Sequence, residues 1–181
     1  MYIMLLPNGD AKFFADATLN IEPDAETIAD TAVQVADAVR EFGITPRVAM
    51  ISFSNFGSAP HPQSEKMARA VELASRLRPA IEIEGEMQAD EALDFEHQKK
   101  MFPFSRLTGP ANVLVFPDLA SGNVAYKLMA TLGGATAIGP ILLGVQGPIT
   151  VLPRNAPIET IVAMTAYTVC KAQSLFGRSA R

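Results

Sequence analysis

Clustered basic residues, cysteines and histidines are all scarce in this chain of 181 residues. Lys99-Lys100 is the longest basic run, and 15 basic against 19 acidic residues leave a net charge of −4. That removes the cationic stripe a nucleic-acid backbone requires, so nucleic acid is not an expected partner. A single cysteine, Cys170, cannot close an intrachain disulfide, and the reducing cytoplasm is the default compartment. His61 and His97 lie far apart, and Cys170 sits in a helical pattern, so no metal-ligand spacing emerges. No apolar run reaches membrane-spanning length, and no charged-then-apolar leader opens the chain; neither a span nor a signal peptide is expected. A G-x-S-x-G elbow is absent, which removes one common route to an activated serine. Gly133-Gly134 lacks the third glycine of a dinucleotide fingerprint and reads as a helix C-cap.

What is present is an apolar, patterned chain. Hydrophobic residues make up 49% and charged residues 19%, a balance that fits a largely buried α/β interior. The length suits one substantial core, or one domain with part of another. Tyr2 to Leu6 and Lys12 to Ala15 flank an Asn8-Gly9 turn and read as a hairpin. The opening Met1-Tyr2-Ile3-Met4 is an apolar strand with nothing before it to pair with, so the chain reads as part of a longer polypeptide. Ile28, Val35, Val39 and Phe42 recur at helical spacing between Asp24 and Gly43. Further helices are expected at Ser64–Arg78, with Met67, Val71, Ala74 and Leu77 inward, and at Glu91–Lys99, Gly122–Leu132 and Ile158–Phe176. Strands are expected at 47–52, 80–84, 112–116, 136–142 and 148–152, and the tail 177–181 reads as frayed. Met4, Met50, Met67, Met87, Met101, Met129 and Met164 read as core fillers. Alternating strands and helices imply a mostly parallel sheet with helices on its faces.

Three strand exits carry polar groups: Ser52, Ser54, Asn55 and Ser58; then Glu86, Gln88 and Asp90; then Asp118, Ser121 and Asn123. In a parallel sheet all three fall on the carboxyl-end edge, where α/β proteins build ligand sites. Hydroxyls, amides and N–H groups near helix starts suit a phosphate. The same residues also serve as helix caps, Asp118 and Ser121 above all.

S-F-S-N-F-G-S from Ser52, G-E-M-Q-A-D from Gly85 and G-P-A-N-V-L-V-F-P from Gly109 together resemble the phosphate acetyl/butyryltransferase family. F-P-F-S-R-L-T-G-P-A-N, Phe102 to Asn112, resembles in particular the version fused to bacterial NADP-dependent malic enzymes. The resemblance implies the second half of a phosphotransacetylase fold of the isocitrate/isopropylmalate dehydrogenase type, α/β with three αβα layers. It implies that 1–140 form the second domain and 141–181 the piece that returns to the first. Active members carry Ser-Arg-Gly after the last strand and an Asp at the start of the last helix. Here those places look like Pro153-Arg154-Asn155 and Thr160, so Arg154 alone survives. A proline has no hydroxyl and a threonine cannot act as a carboxylate base, so the resemblance implies anion binding through Arg154 without chemistry.

The resemblance further implies an acetyl-CoA-sensing, oligomerising domain, with malate decarboxylation performed upstream by residues that use NADP and Mg or Mn. No cofactor is expected within this chain. A working phosphate acyltransferase fragment and a ligand-free dimerisation module are the competing readings. Two-fold pairing through the second domain is expected, with Met101-Phe102-Pro103-Phe104 and the helix after Gly122 as the contact.

Overall fold

Short, alternating apolar runs build the sheet first. The computed structural model describes residues 1–176; the expectation for the tail 177–181 lies outside them. Strands β1 (Tyr2–Leu5), β2 (Ala11–Ala15), β3 (Arg47–Ile51), β4 (Glu82–Met87), β5 (Val113–Val115) and β6 (Thr136–Ile138) form one sheet in the order β4-β3-β5-β2-β1-β6. Parallel pairing joins β4 to β3, β3 to β5 and β5 to β2, while β1 runs antiparallel to both β2 and β6. Only β1 is therefore reversed, and the expected mostly parallel sheet is what forms.

Successive side chains point to opposite faces. Phe13, Val48, Met50, Ile83 and Val113 enter one buried cluster, and Phe14, Ala49, Ile51 and Leu114 the other. Helix α1 (Ala25–Glu41) covers the first face with Ile28, Ala32, Val35, Ala36 and Val39. Helix α2 (Pro62–Leu77) adds Met67, Ala70 and Ala74, and α6 (Ile158–Phe176) adds Met164. The second face takes Ala92 from α3 (Ala89–Leu93) and Tyr126 and Met129 from α5 (Leu119–Leu132). Helix α4 (Phe95–Met101) follows α3 directly. The result is the αβα layering that the repeating strand–helix pattern predicts.

Several boundaries differ from the sequence reading, each for a local reason. Strand β4 does not stop at Glu84 but runs through Gly85 to Met87. Gly85 pairs with Met50 at an irregularity in the ladder, with φ of 136°, and a Cβ there would lie 2.8 Å from Met50 O. The glycine is a close-approach residue inside the strand, not the start of a loop. Helix α2 begins at Pro62 because His61 Nδ1 accepts from Gln63 N while Ser64 Oγ accepts from His61 N. The expected helix at 91–99 is two short helices that meet at Asp94, which caps the second. Helix α5 begins at Leu119, three residues earlier than expected, because Asp118 rather than Ser121 is its cap.

The strand expected at 148–152 does not form, and β6 ends at Ile138. Pro140, Pro148 and Pro153 deny the segment N–H donors, and Gly139 and Gly144 adopt positive φ. Leu77 and Met101 stand half exposed instead of in the core, and Phe42 caps α1, packing between Phe13 and Tyr167. On the outer edge of β4, Arg106 donates to Ile83 O at 2.7 Å and pairs with Glu84 at 2.6 Å, closing that edge to further pairing.

Candidate functional site

The carboxyl ends of β2, β3, β4 and β5 converge on one edge of the sheet, and each delivers a polar loop there. The loop after β3 is built around a buried carboxylate. Glu86, on β4 and 2% exposed, accepts from Ser54 Oγ and from Gly57 N, both at 2.7 Å, while its main-chain oxygen accepts from Phe56 N. Phe56 and Gly57 both take positive φ to wrap around it. The remaining donors are consumed locally. Asn55 N reaches Ser58 Oγ, Ala59 N reaches Ser54 Oγ, Ser54 N reaches Ser52 Oγ and Ser58 N reaches Asn55 O. Asn55 Oδ1 accepts from Gln88 N, tying this loop to the exit of β4. The structure thus brings Ser52, Ser54, Asn55, Ser58, Glu86 and Gln88 together, as a self-satisfied network whose N–H groups from 54 to 59 turn inward. Asp90 stands exposed on the first turn of α3.

The exit of β5 is equally committed. Asp118 Oδ1 accepts from Ser121 N at 2.8 Å and Oδ2 from Gln63 Nε2 at 2.8 Å, so one carboxylate caps α5 and links it to α2. Ser121 Oγ donates back to Asp118 O, and Asn123 Nδ2 donates to Ala17 O at 3.2 Å. Lys66 Nζ donates to the Pro23 and Pro117 carbonyls, fastening the start of α1 to the same corner.

That Asn123 bond points to the loop sequence reasoning missed, the exit of β2. Asp16 organises it. Its Oδ1 accepts from Thr18 N and Leu19 N, and its Oδ2 from Asn20 N and Asn20 Nδ2, at 2.8 to 3.1 Å. Gly122 lets α5 pack directly beneath this turn: a Cβ there would lie 2.6 Å from Asp16 O. Beside the turn opens a cleft of about 710 Å³, between the first turns of α1 and the segment 140–151. Its polar lining is Asp16, Thr18, Asn20, Thr27, Asp30, Thr31 and Gln34, and its apolar lining includes Met1, Leu19, Val35, Leu142, Leu143 and Val151. No lysine, arginine or histidine lines it among the described residues. Asp24 caps α1 beside this cleft; hydrogen bonds from Thr27 hold its carboxyl below the usual carboxylate range. The signal was D-A-T-L-N straight after a strand, hidden because β1 and β2 read as a hairpin, a pattern that gives no sign of β2 pairing parallel with β5.

Arg154 lies exposed in the connection between β6 and α6, three residues beyond Val151 of the cleft. Pro153 is exposed beside it, and Thr160 stands in the first turn of α6. His61 is a helix cap, His97 pairs with Glu91 at 3.1 Å, and Cys170 is exposed. Among the described residues no three His, Cys, Asp or Glu side chains gather as a metal ion would require. No helix there is long and apolar enough to cross a membrane.

Comparison with known proteins gives consistent relatives. The family described as Phosphate acetyl/butaryl transferase matches residues 1–169. An NADP-dependent malic enzyme of Escherichia coli is 42% identical over 175 residues, which span 96% of this chain and 23% of that protein. A phosphate acetyltransferase of Clostridium acetobutylicum is 41% identical over 178 residues, 95% of this chain and 54% of its own length. The crystal structure of a phosphotransacetylase from Streptococcus pyogenes superimposes with a TM-score of 0.90 at 39% identity, covering 96% of this chain and 53% of that one. The chain therefore spans about half of that acetyltransferase and about a quarter of that malic enzyme.

Proposed function

We propose that this chain, which belongs to the Phosphate acetyl/butaryl transferase family, binds an acyl-CoA thioester at the cleft on its carboxyl edge without transferring the acyl group. The lining of that cleft carries the reading: hydroxyls, amides and the carboxylates of Asp16 and Asp30 interleaved with aliphatic groups, at the sheet edge where α/β proteins bind ligands. Two features favour binding over transfer. The carboxylate of Asp16 is saturated by four donors, so it shapes the turn rather than waiting for a proton. Pro153 and Thr160 stand where the family resemblance expects a serine hydroxyl and an aspartate.

Within a longer protein, this reading makes the chain an acetyl-CoA-responsive domain attached to an NADP-dependent malic enzyme. NADP and Mg or Mn would then be held by residues outside this chain. The same reading includes a two-fold dimer. Val124, Leu128 and Leu132 form an exposed apolar ridge on α5, and Met101 and Phe104 are exposed at the end of α4 and beyond it. Light scattering at micromolar concentration tests it: a dimer mass supports the pairing and a monomer mass removes it.

Binding is tested by thermal unfolding with and without acetyl-CoA. Ligand at about 100 times its Kd adds about 2.7 kcal/mol to the native state. No upward shift at saturating acetyl-CoA refutes the reading, and acetyl phosphate accumulating in a coupled assay would favour a working acetyltransferase instead.

A further inference from the structure

A pair of cations lies at the opposite, amino-end edge of the sheet, away from the cleft. Phe13 on β2 and Val48 on β3 both pair with Val113 of β5, so Lys12 and Arg47 stand level on the two strands that flank the entry to β5. Strand alternation turns both toward one face, that of Phe14 and Ala49. The chain between them holds each in place: Lys12 Nζ donates to Ala111 O at 2.9 Å and Arg47 Nε to Pro110 O at 2.8 Å. Gly109 completes the seat, since a Cβ there would lie 3.2 Å from Arg47 Nε and 3.4 Å from its Cζ. The two Nη groups of Arg47 have no hydrogen-bond partner among the described residues, and neither cation belongs to an ion pair there. Two neighbouring acids are engaged elsewhere. Asp10 accepts from Asn8 Nδ2, and Glu82, across from Arg47 on β4, accepts from Thr108 N and Oγ1. Burial holds the Lys12 ammonium below the usual lysine range; Asp10 opposes that shift and Arg47 adds to it, so the two cations are close enough to repel.

We infer that Lys12 and Arg47 form a binding site for a phosphate dianion, separate from the acyl-CoA cleft and independent of that reading. A bridging phosphate takes the free Nη fork and the remaining ammonium hydrogens, and it relieves the repulsion between the cations. Two positive charges match a dianion better than a lone carboxylate. Both side chains are half-buried and already ordered, so binding costs little side-chain freedom. About 13 Å of extended chain separates Lys12 from Asp16, so a phosphate here leaves the cleft open.

Inorganic phosphate, exchanged for chloride at constant ionic strength and followed by proton–nitrogen NMR, tests the site. The Arg47 Nε–H and the amides of Lys12, Gly109 and Ala111 should shift together and saturate. Lys12→Met keeps the apolar stem and removes the charge, so phosphate should bind about 10-fold or more weakly, the loss of one charge-assisted hydrogen bond. Lys12→Arg should retain the binding. Acetate, with one charge, should bind more weakly than phosphate by a similar factor. Glycerol 3-phosphate in the same titration tells free from esterified phosphate: binding by either supports the site, and the tighter one identifies the source. Shifts that do not saturate, that appear around Thr18 and Asn20 instead, or that persist undiminished in Lys12→Met overturn the inference, as does acetate binding as tightly as phosphate. If Lys12→Met does not fold, the shift map and the acetate comparison on the unaltered protein decide the question alone.

Discussion

Replacing Gly122 by alanine tests whether α5 shapes the cleft from beneath. The added Cβ would sit 2.6 Å from Asp16 O, 3.2 Å from Ala17 Cα and 3.3 Å from Ala17 Cβ. Two of these are backbone atoms, so relief requires the Asp16–Asn20 turn or the start of α5 to move as a unit. Overpacking of this kind costs about 1–3 kcal/mol. Alanine regains about 0.8–1.0 kcal/mol over glycine inside a helix. The clash is against backbone, so the upper part of the first range applies and the net loss is about 1–2 kcal/mol. For a chain of this length that lowers Tm by about 2–8 °C. Acetyl-CoA binding should weaken alongside, since the turn carries Thr18 and Asn20 into the cleft. Scanning calorimetry of both proteins, with and without acetyl-CoA, reads both effects. An equal or higher Tm would mean that helix propensity alone operates and that the turn does not rest on α5, so α5 would not shape the cleft wall.

Glu86→Ala strips the acceptor from Ser54 Oγ and Gly57 N and should cost about 2–4 kcal/mol in urea unfolding, with Glu86→Gln recovering more than half. A loss below about 0.5 kcal/mol would show that the 52–58 loop holds its shape unaided. Arg154→Ala should weaken acetyl-CoA binding by about 1.5–3 kcal/mol, the value of a charge-assisted hydrogen bond, and an unchanged titration curve would make the arginine a solvated surface group. Because the folded pKa of Asp24 is depressed by its bonds from Thr27, its contribution is complete above the unfolded carboxylate pKa of about 3.9 and lost as pH falls through the lower folded value. Asp24→Ser keeps a capping oxygen that does not titrate, so its Tm deficit should narrow in acid; a deficit constant with pH would contradict the assignment.

How much of the molecule is legible in its sequence depends on how local each signal is. The helical spacing of Ile28, Val35 and Val39 and the period-two runs of the strands make the layering and most elements predictable, because burial on one face follows from pattern alone. Asp118 is identifiable as a cap, and the polar residues after β3 and β4 do share one edge. Long-range information is what the pattern lacks. Nothing local tells that Gly85 lies inside a strand against Met50, since a glycine after an apolar run reads equally well as a turn. Nothing local tells that β2, half of a hairpin, also pairs parallel with β5 and so delivers Asp16 to the ligand edge. The apolar run 148–152 looks like a strand, yet its prolines and its place beyond β6 leave it irregular. Ser54 and Asn123 change roles for the same reason: their partners, Glu86 and Ala17, are 32 and 106 residues away.

Binding without transfer has two halves, and a single phosphorus NMR experiment addresses both. Protein, acetyl-CoA and inorganic phosphate are mixed, and the spectrum is followed over hours. The phosphate resonances of acetyl-CoA should broaden or shift in proportion to protein while no acetyl phosphate signal grows. Unperturbed acetyl-CoA resonances would contradict the binding, and a growing acetyl phosphate signal would contradict the absence of transfer.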